Sequence, residues 1–401
     1  MAIVLPRPFA QIPRASLLYP HASPIHRLDS LSALLSPSQK VAVYTKREDH
    51  SSPLACAGNK YRKLEYIVPD ILDPSPDITG PPGKADNSIN GGPTAPGKVT
   101  TVVTEGAVQS NHTVQVNAVA NKLGLEYVGV TNRMTGQGYK EASSKDVFMT
   151  VGNPQMSRLL QPSSTSTSTS TQEEEKNNDT EDPLKVLHDL HNNHKKVPYW
   201  IPSGASLHPL GGLGYARCAF EIASQEAQLP RSPSQPSRFD YIFVACGSGS
   251  TVAGLIAGFK LVDKHLATST STPRKIIGIL NSPTKPRAYH EERVLRFARN
   301  TGRLIGLDDP EAEITMADVH LDDRFVGTAY GSLDEETNRH LRLMAEVEGL
   351  VVDPVYTAKV AWGLASCVRN GELVVHGDGQ VNALFVHTGG QAALPAYSDR
   401  I

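Results

Sequence analysis

The stretch Tyr241 to Gly254, YIFVACGSGSTVAG, decides the fold. Six apolar residues in a row, Tyr241 to Cys246, read as a strand buried on both faces. Gly247 to Thr251 then turn the chain into the apolar helical run TVAGLIAGFKLVDKHL at 251–266. A strand entering a helix through a tight glycine turn is the unit of a parallel α/β sheet. Glycines such as Gly249 let backbone amides approach a ligand, a helix N-terminus is electropositive, and Ser248, Ser250 and Thr251 add hydroxyls, so the element suits a phosphate. An ordinary α/β connection has the same composition, and the element alone leaves both readings open. A dinucleotide fits less well, because the next strand, KIIGIL (275–280), runs into Asn281 where an acidic ribose ligand is needed.

The same alternation runs through the chain. KVAVYTK (40–46), VTTVVTEG (99–106), YVGVTN (127–132) and VNALFVHTGG (381–390) read as further buried strands, with helical periodicity at 111–124, 287–306 and 335–349. The expectation is an α/β fold of two domains, with open, twisted, mainly parallel sheets covered by helices on both faces. A chain of 401 residues exceeds one hydrophobic core, and a cleft between two parts is the natural small-molecule site. Four polar stretches, 73–98, 162–183, 227–238 and 267–273, bury too little apolar surface to offset ordering entropy and read as surface insertions.

Lys plus Arg number 39 against 41 Asp plus Glu, a formal net charge of −2, so no global field draws nucleic acid or an anionic membrane. No apolar run approaches the roughly 18 residues of a membrane span. Cys56, Cys218, Cys246 and Cys367 form no C-x-x-C pair, which fits neither a disulfide framework nor a zinc site and points to a reducing compartment. The cytoplasm is the expected location, with mitochondrial import the lesser alternative because the N-terminus is free of acidic residues up to Asp29. His188, His191 and His194 have a spacing that places some of them on one helical face, but their polar surroundings favour a solvated surface, and no metal is expected.

In AGNKYRKLEY (57–66) three cations follow a glycine and an asparagine where a helix begins. Arg62 and Lys63 read as its polar face. Lys60 stands at the strand-to-helix junction, from which a side chain points into an α/β cleft, and an amine that loses its proton in a desolvated pocket is what a Schiff base requires. One amine beside a phosphate cradle suggests pyridoxal phosphate. In GAVQSNHT (106–113), Ser110, Asn111 and His112 open a second helix, where they cap it or face a ligand at the carboxyl ends of the strands.

Eight blocks resemble, in order, the 1-aminocyclopropane-1-carboxylate deaminases and their relatives the D-cysteine desulfhydrases: KREDHSSPLACAGNKYRKLEYIVPDIL, GAVQSNHTVQVNAVANKLG, VGNPQMSRLL, HPLGGLGYARCAFEIASQEAQL, FDYIFVACGSGSTVAG, MADVHLDDRFVGTAYG, VVDPVYTAKVAWGL and HTGGQAALPAYS. The resemblance covers nearly everything outside the four insertions. It implies a fold type II pyridoxal-phosphate enzyme, related to the tryptophan synthase β subunit and commonly a homodimer. The division that goes with it is a large cofactor-binding domain of 1–62 plus 199–401 and a small α/β domain of 63–198.

By position, the resemblance makes Lys60 the Schiff-base lysine and Asn111 the partner of the cofactor's phenolic oxygen. Ser110 resembles the serine near substrate, as carboxylate binder or nucleophile, with His112 beside it, and Ser248, Gly249, Ser250 and Thr251 match the phosphate loop. Tyr330 and Tyr356 resemble the two aromatic residues of the substrate pocket. Two positions depart from the deaminase pattern: Thr357 replaces a glutamate and Thr388 a leucine, as in the desulfhydrase branch. A carboxylate beside the pyridine nitrogen keeps it protonated and strengthens the electron sink, which a hydroxyl cannot do. The expected reaction therefore turns a small amino acid into a 2-oxo acid and ammonia, by β-elimination from D-cysteine or, alternatively, by opening 1-aminocyclopropane-1-carboxylate; a specialised biosynthetic enzyme or a non-catalytic relative is the further reading. Glu105 stands where relatives have small or apolar residues, and no role follows for it.

Overall fold

The structure, a computed structural model, describes residues 4–75, 91–131, 144–161, 182–229, 238–265, 274–374 and 380–401. Its strands are β1 (Ile25–Arg27), β2 (Val41–Arg47), β3 (Gly92–Pro93), β4 (Thr101–Gly106), β5 (Glu126–Thr131), β6 (Pro198–Ile201), β7 (Tyr241–Cys246), β8 (Lys275–Leu280), β9 (His320–Asp322) and β10 (Val381–His387). The helices are α1 (Asp29–Leu35), α2 (Lys60–Leu72), α3 (Asn111–Leu123), α4 (Lys145–Thr150), α5 (Asn153–Leu159), α6 (Pro183–Asn192), α7 (Leu213–Glu226), α8 (Ser250–His265), α9 (Arg287–Ile305), α10 (Pro310–Glu313), α11 (Glu335–Glu348) and α12 (Thr357–Arg369).

The strands form two sheets, a larger one in the order β1-β2-β10-β7-β8-β9 and a smaller one in the order β3-β6-β4-β5. Among the described strands only the β1–β2 and β3–β6 pairs are antiparallel. Strand β7 shows why an unbroken apolar run marks a central strand. Ile242, Val244 and Cys246 enter one core, with residues of α7 and α8, while Tyr241, Phe243 and Ala245 enter the other, with residues of α11 and α12. Alternate side chains of β10 divide the same way, so both faces of the larger sheet are covered. The expected α/β class with mainly parallel sheets is what the chain adopts.

The strand expected over 381–390 ends at His387, because Thr388, Gly389 and Gly390 turn away, both glycines with positive φ. Strands β1, β3, β6 and β9 carry two to four residues each, too short for periodicity to announce them. Strand β6 belongs to the smaller sheet, so the chain returns to the larger sheet after Ile201. Strand β3 falls inside the first expected insertion. Residues 76–90, 162–181, 230–237 and 266–273, most of the four insertions, lie outside the described residues. No helix among the described residues is long and apolar enough to cross a membrane.

Helix α2 corrects one expectation. Arg62 and Lys63 do not form a solvated polar face; each is 1 % exposed. The helix contacts α7 and α3 and is internal on nearly every side. Its charges are met inside the protein. Arg62 donates to Glu48 Oε1 at 2.9 Å and to Glu221 Oε2 at 3.1 Å, and Lys46 also pairs with Glu221.

Candidate active site

Lys60 is the first residue of α2, and two local features fix it. At Gly58 an added Cβ would lie 2.8 Å from the Thr388 carbonyl oxygen, so only glycine lets this turn bridge to Gly389. The Lys60 backbone N–H donates to Gln115 Oε1 at 3.1 Å, and its Nζ donates to Asn59 Oδ1 at 2.7 Å. Burial lowers the amine's pKa to about 8, partly opposed by Asp353. Roughly a tenth is thus unprotonated at pH 7, far more than for an ordinary lysine, and this is the form that attacks a carbonyl.

Beneath it lies the turn of the opening stretch. Gly249 adopts a left-handed φ of 95°, which exposes the N-terminus of α8. Thr251 Oγ1 accepts from Asn59 Nδ2 at 3.3 Å, linking the turn to the base of Lys60. Lys63 donates to Ser250 Oγ at 2.7 Å and to the Gly204 carbonyl at 3.0 Å. Burial, then the neighbouring charge of Lys60, pushes the Lys63 pKa well below its ordinary value. Two amines beside an electropositive helix end call for an anion, and free amides with hydroxyls suit a phosphate dianion. The residues present therefore fit pyridoxal phosphate, whose phosphate the cradle would hold and whose aldehyde Lys60 would meet.

The opposite wall comes from the smaller sheet. Ser110 caps α3, accepting from the Thr113 N–H at 3.4 Å, and still lines the cavity, so the capping and ligand readings of GAVQSNHT are compatible. Asn111 Oδ1 accepts from Asn153 Nδ2 at 2.8 Å, leaving its own amide nitrogen as a donor. Asn153 is itself held by Gln109, through the backbone N–H to Oε1 at 3.1 Å and Nδ2 to the backbone carbonyl at 3.0 Å. His112 is 2 % exposed, bonds Thr104 Oγ1 at 2.9 Å, and is kept neutral by burial and by Lys60 and Lys63.

Tyr330 and Tyr356 hydrogen-bond to each other through their hydroxyls, with rings crossed at 76°. The Tyr356 ring lies 5.6 Å from Lys60 Nζ, and burial raises its phenol to about 12. Thr388 lines the cavity, but Thr357 does not. The Thr357 hydroxyl is committed to Asp353, donating to Oδ1 at 2.7 Å and accepting from the Asp353 N–H at 2.7 Å. Burial raises the Asp353 pKa against bonds from the Thr357 hydroxyl and the amides of Thr357 and Tyr356.

These groups surround one cavity of about 350 Å³ between the carboxyl ends of both sheets. Sequence reasoning missed Lys63 and Asn59 as parts of it, and Asn153 as the support behind Asn111. The only signal for Lys63 was its place one helical turn from Lys60. Glu105, Asn281, His290 and Arg293 also line the cavity. His188, His191 and His194 stand exposed on and beside α6, away from it. No group of three or more metal-ligating side chains occurs among the described residues.

Comparison with known proteins matches residues 18–389 to a family described as "Pyridoxal-phosphate dependent enzyme". The chain is 36 % identical to a "Probable 1-aminocyclopropane-1-carboxylate deaminase" of Schizosaccharomyces pombe over 380 residues, 94 % of either chain. It is 36 % identical over 377 residues to the "1-aminocyclopropane-1-carboxylate deaminase" of Burkholderia vietnamiensis, again 94 % of both. Among solved structures an "ACC deaminase homologue" superposes with a TM-score of 0.68 at 26 % identity, covering 98 % of this chain and 96 % of that one.

Proposed function

We propose a reaction from the premise that this chain belongs to the pyridoxal-phosphate dependent enzyme family, in the branch of its deaminase relatives, and is an enzyme using that cofactor. The reaction is conversion of a small amino acid to a 2-oxo acid and ammonia. The bound cofactor supplies an electron sink for the pair left at Cα. Ser248 to Thr251 and Lys63 bind its phosphate, and the free donor of Asn111, oriented by Asn153, faces its phenolic oxygen. The N-terminus of α3 and Ser110 orient the substrate carboxylate. Lys60 holds the cofactor, is released by substrate, and takes the proton at Cα. Tyr356, bonded to Tyr330, delivers or accepts a proton at the side-chain end of the substrate.

Within this class we assign β-elimination from D-cysteine, with pyruvate, hydrogen sulfide and ammonia as products. The observation that carries it is chemical: Thr388 puts a hydroxyl on the cavity wall, and position 357 holds a threonine whose hydroxyl is turned to Asp353. With no carboxylate at 357 or 388 to protonate the ring nitrogen, the weaker sink suits a substrate with an acidic α-proton and a good leaving group. The whole-chain likeness to proteins named 1-aminocyclopropane-1-carboxylate deaminase supports the second reading, with 2-oxobutanoate as product.

Purified holoenzyme given each substrate separately decides between them, with 2-oxo acid and sulfide followed in parallel. Pyruvate and sulfide from D-cysteine alone support the first reading; 2-oxobutanoate from the cyclopropane substrate overturns it in favour of the second. Turnover of either by Lys60→Ala would sink both. The protein is expected to act as a homodimer, which sedimentation tests.

A further inference from the structure

One wall of the cavity has no duty in that reaction. Asn281 follows the carboxyl end of β8 and is 1 % exposed, yet both atoms of its amide lack a hydrogen-bond partner. His290, 6 % exposed in the first turn of α9, has an unpartnered Nε2, and Arg293, one turn on, an unpartnered buried Nε. All three line the cavity, with Thr284 and Lys285 exposed at its mouth. Buried polar groups in native proteins almost always find partners, so three orphans converging on one space point to a ligand group received there.

The position is defined by its neighbours. A Cβ built at Gly247 would stand 3.1 Å from Asn281 Oδ1 and 3.6 Å from Cε1 of Tyr356, so the Asn281 amide and the Tyr356 ring flank the same glycine. The wall thus adjoins the place where the substrate side chain would meet Tyr356. Its chemistry is that of an anion site: an amide, an imidazole kept neutral by burial and by Arg293, and a guanidinium, with the Lys285 amine at the entrance. Glu105 lines the same cavity from β4, and burial raises its pKa.

We propose that Asn281, His290 and Arg293 form a side-chain subsite for a carboxylate, so that the cavity also binds, as a ligand and not as a β-elimination substrate, a small amino acid carrying a second acidic group. This rests on the reading of the cavity as a pyridoxal-phosphate amino-acid site and names a second ligand class for it, beside the D-cysteine assigned above. Asparagine and arginine together discriminate because a planar carboxylate pairs with several fixed donors at once, and removing a charge-assisted bond leaves the remaining partners unsatisfied.

The test is a titration of holoenzyme with both enantiomers of aspartate and of alanine, read by the shift in visible absorption of the bound cofactor. One aspartate enantiomer is expected to bind at least about tenfold tighter than the matching alanine, and Asn281→Ala or Arg293→Gln to erase that ratio. Equal affinity for aspartate and alanine overturns the proposal while leaving the parent reading intact. A shift with no amino acid at all, D-cysteine included, sinks the parent reading and the subsite together. Because Val294 packs toward Gly249, the cradle lies close by. Cofactor release from Arg293→Gln would therefore assign the guanidinium to the phosphate and also overturn the proposal.

Discussion

At Lys60 the same burial that makes the amine reactive works against the fold. Its folded-state pKa, about 8, lies below the ordinary 10.5. The sign follows: this group's contribution is fully favourable only above 10.5 and is lost as pH falls toward 8. At neutral pH the lysine therefore costs stability, at most about 3 kcal/mol. Cofactor-free Lys60→Met is expected to melt above the cofactor-free parent at pH 7, read by calorimetry, while losing all turnover. For the unmodified protein, the rate of reconstitution with pyridoxal phosphate should climb as pH rises through about 8, because only the neutral amine condenses. At this scale Lys60 stands out as a candidate from its junction after Gly58 and Asn59, and the structure buries it in the cavity wall. Lys63 is misread as surface, since a basic residue three positions on looks identical whether the helix face is wet or buried.

At the scale of elements, α2 is held by buried charges as well as by its apolar residues, Tyr61, Leu64, Ile67 and Ile71 among them, in the main core. Burial alone would raise the Glu221 carboxyl, but Arg62 and Lys46 hold it far below its ordinary 4.5. A depressed carboxylate contributes stability above that ordinary value and loses it as pH falls, so the domain should weaken progressively in acid below about 4.5. Arg62→Met leaves Glu48 and Glu221 with too little positive charge and is expected to cost about 3–5 kcal/mol in urea unfolding. Replacing the whole cluster by apolar residues should cost far less, which separates the unpaired-charge effect from lost packing. The long buried strands and the helices at 111–123, 250–265, 287–305 and 335–348 were legible because apolar runs and helical periodicity are local. The short strands were not, because a segment of two to four residues becomes a strand only by finding a partner.

At the scale of the whole molecule, the polar stretch of 162–181 has the composition of an addition to the fold. A chain joining Gln161 to Asp182 through a short glycine-serine linker is expected to keep cofactor absorption and melting temperature; loss of either would show that the stretch carries structure the site needs. The α/β class, the cofactor and the strand-to-helix turns proposed as its cradle were readable from the sequence, because hydrophobic periodicity, glycine turns and helix N-termini express their chemistry within a few residues. Tertiary structure alone decided that Arg62 and Lys63 are interior, that Asn153 orients Asn111, that Thr357 turns to Asp353, and that Asn281, His290 and Arg293 share one cavity. Those facts follow from the order in which distant strands assemble into two sheets, and no local spacing records that order.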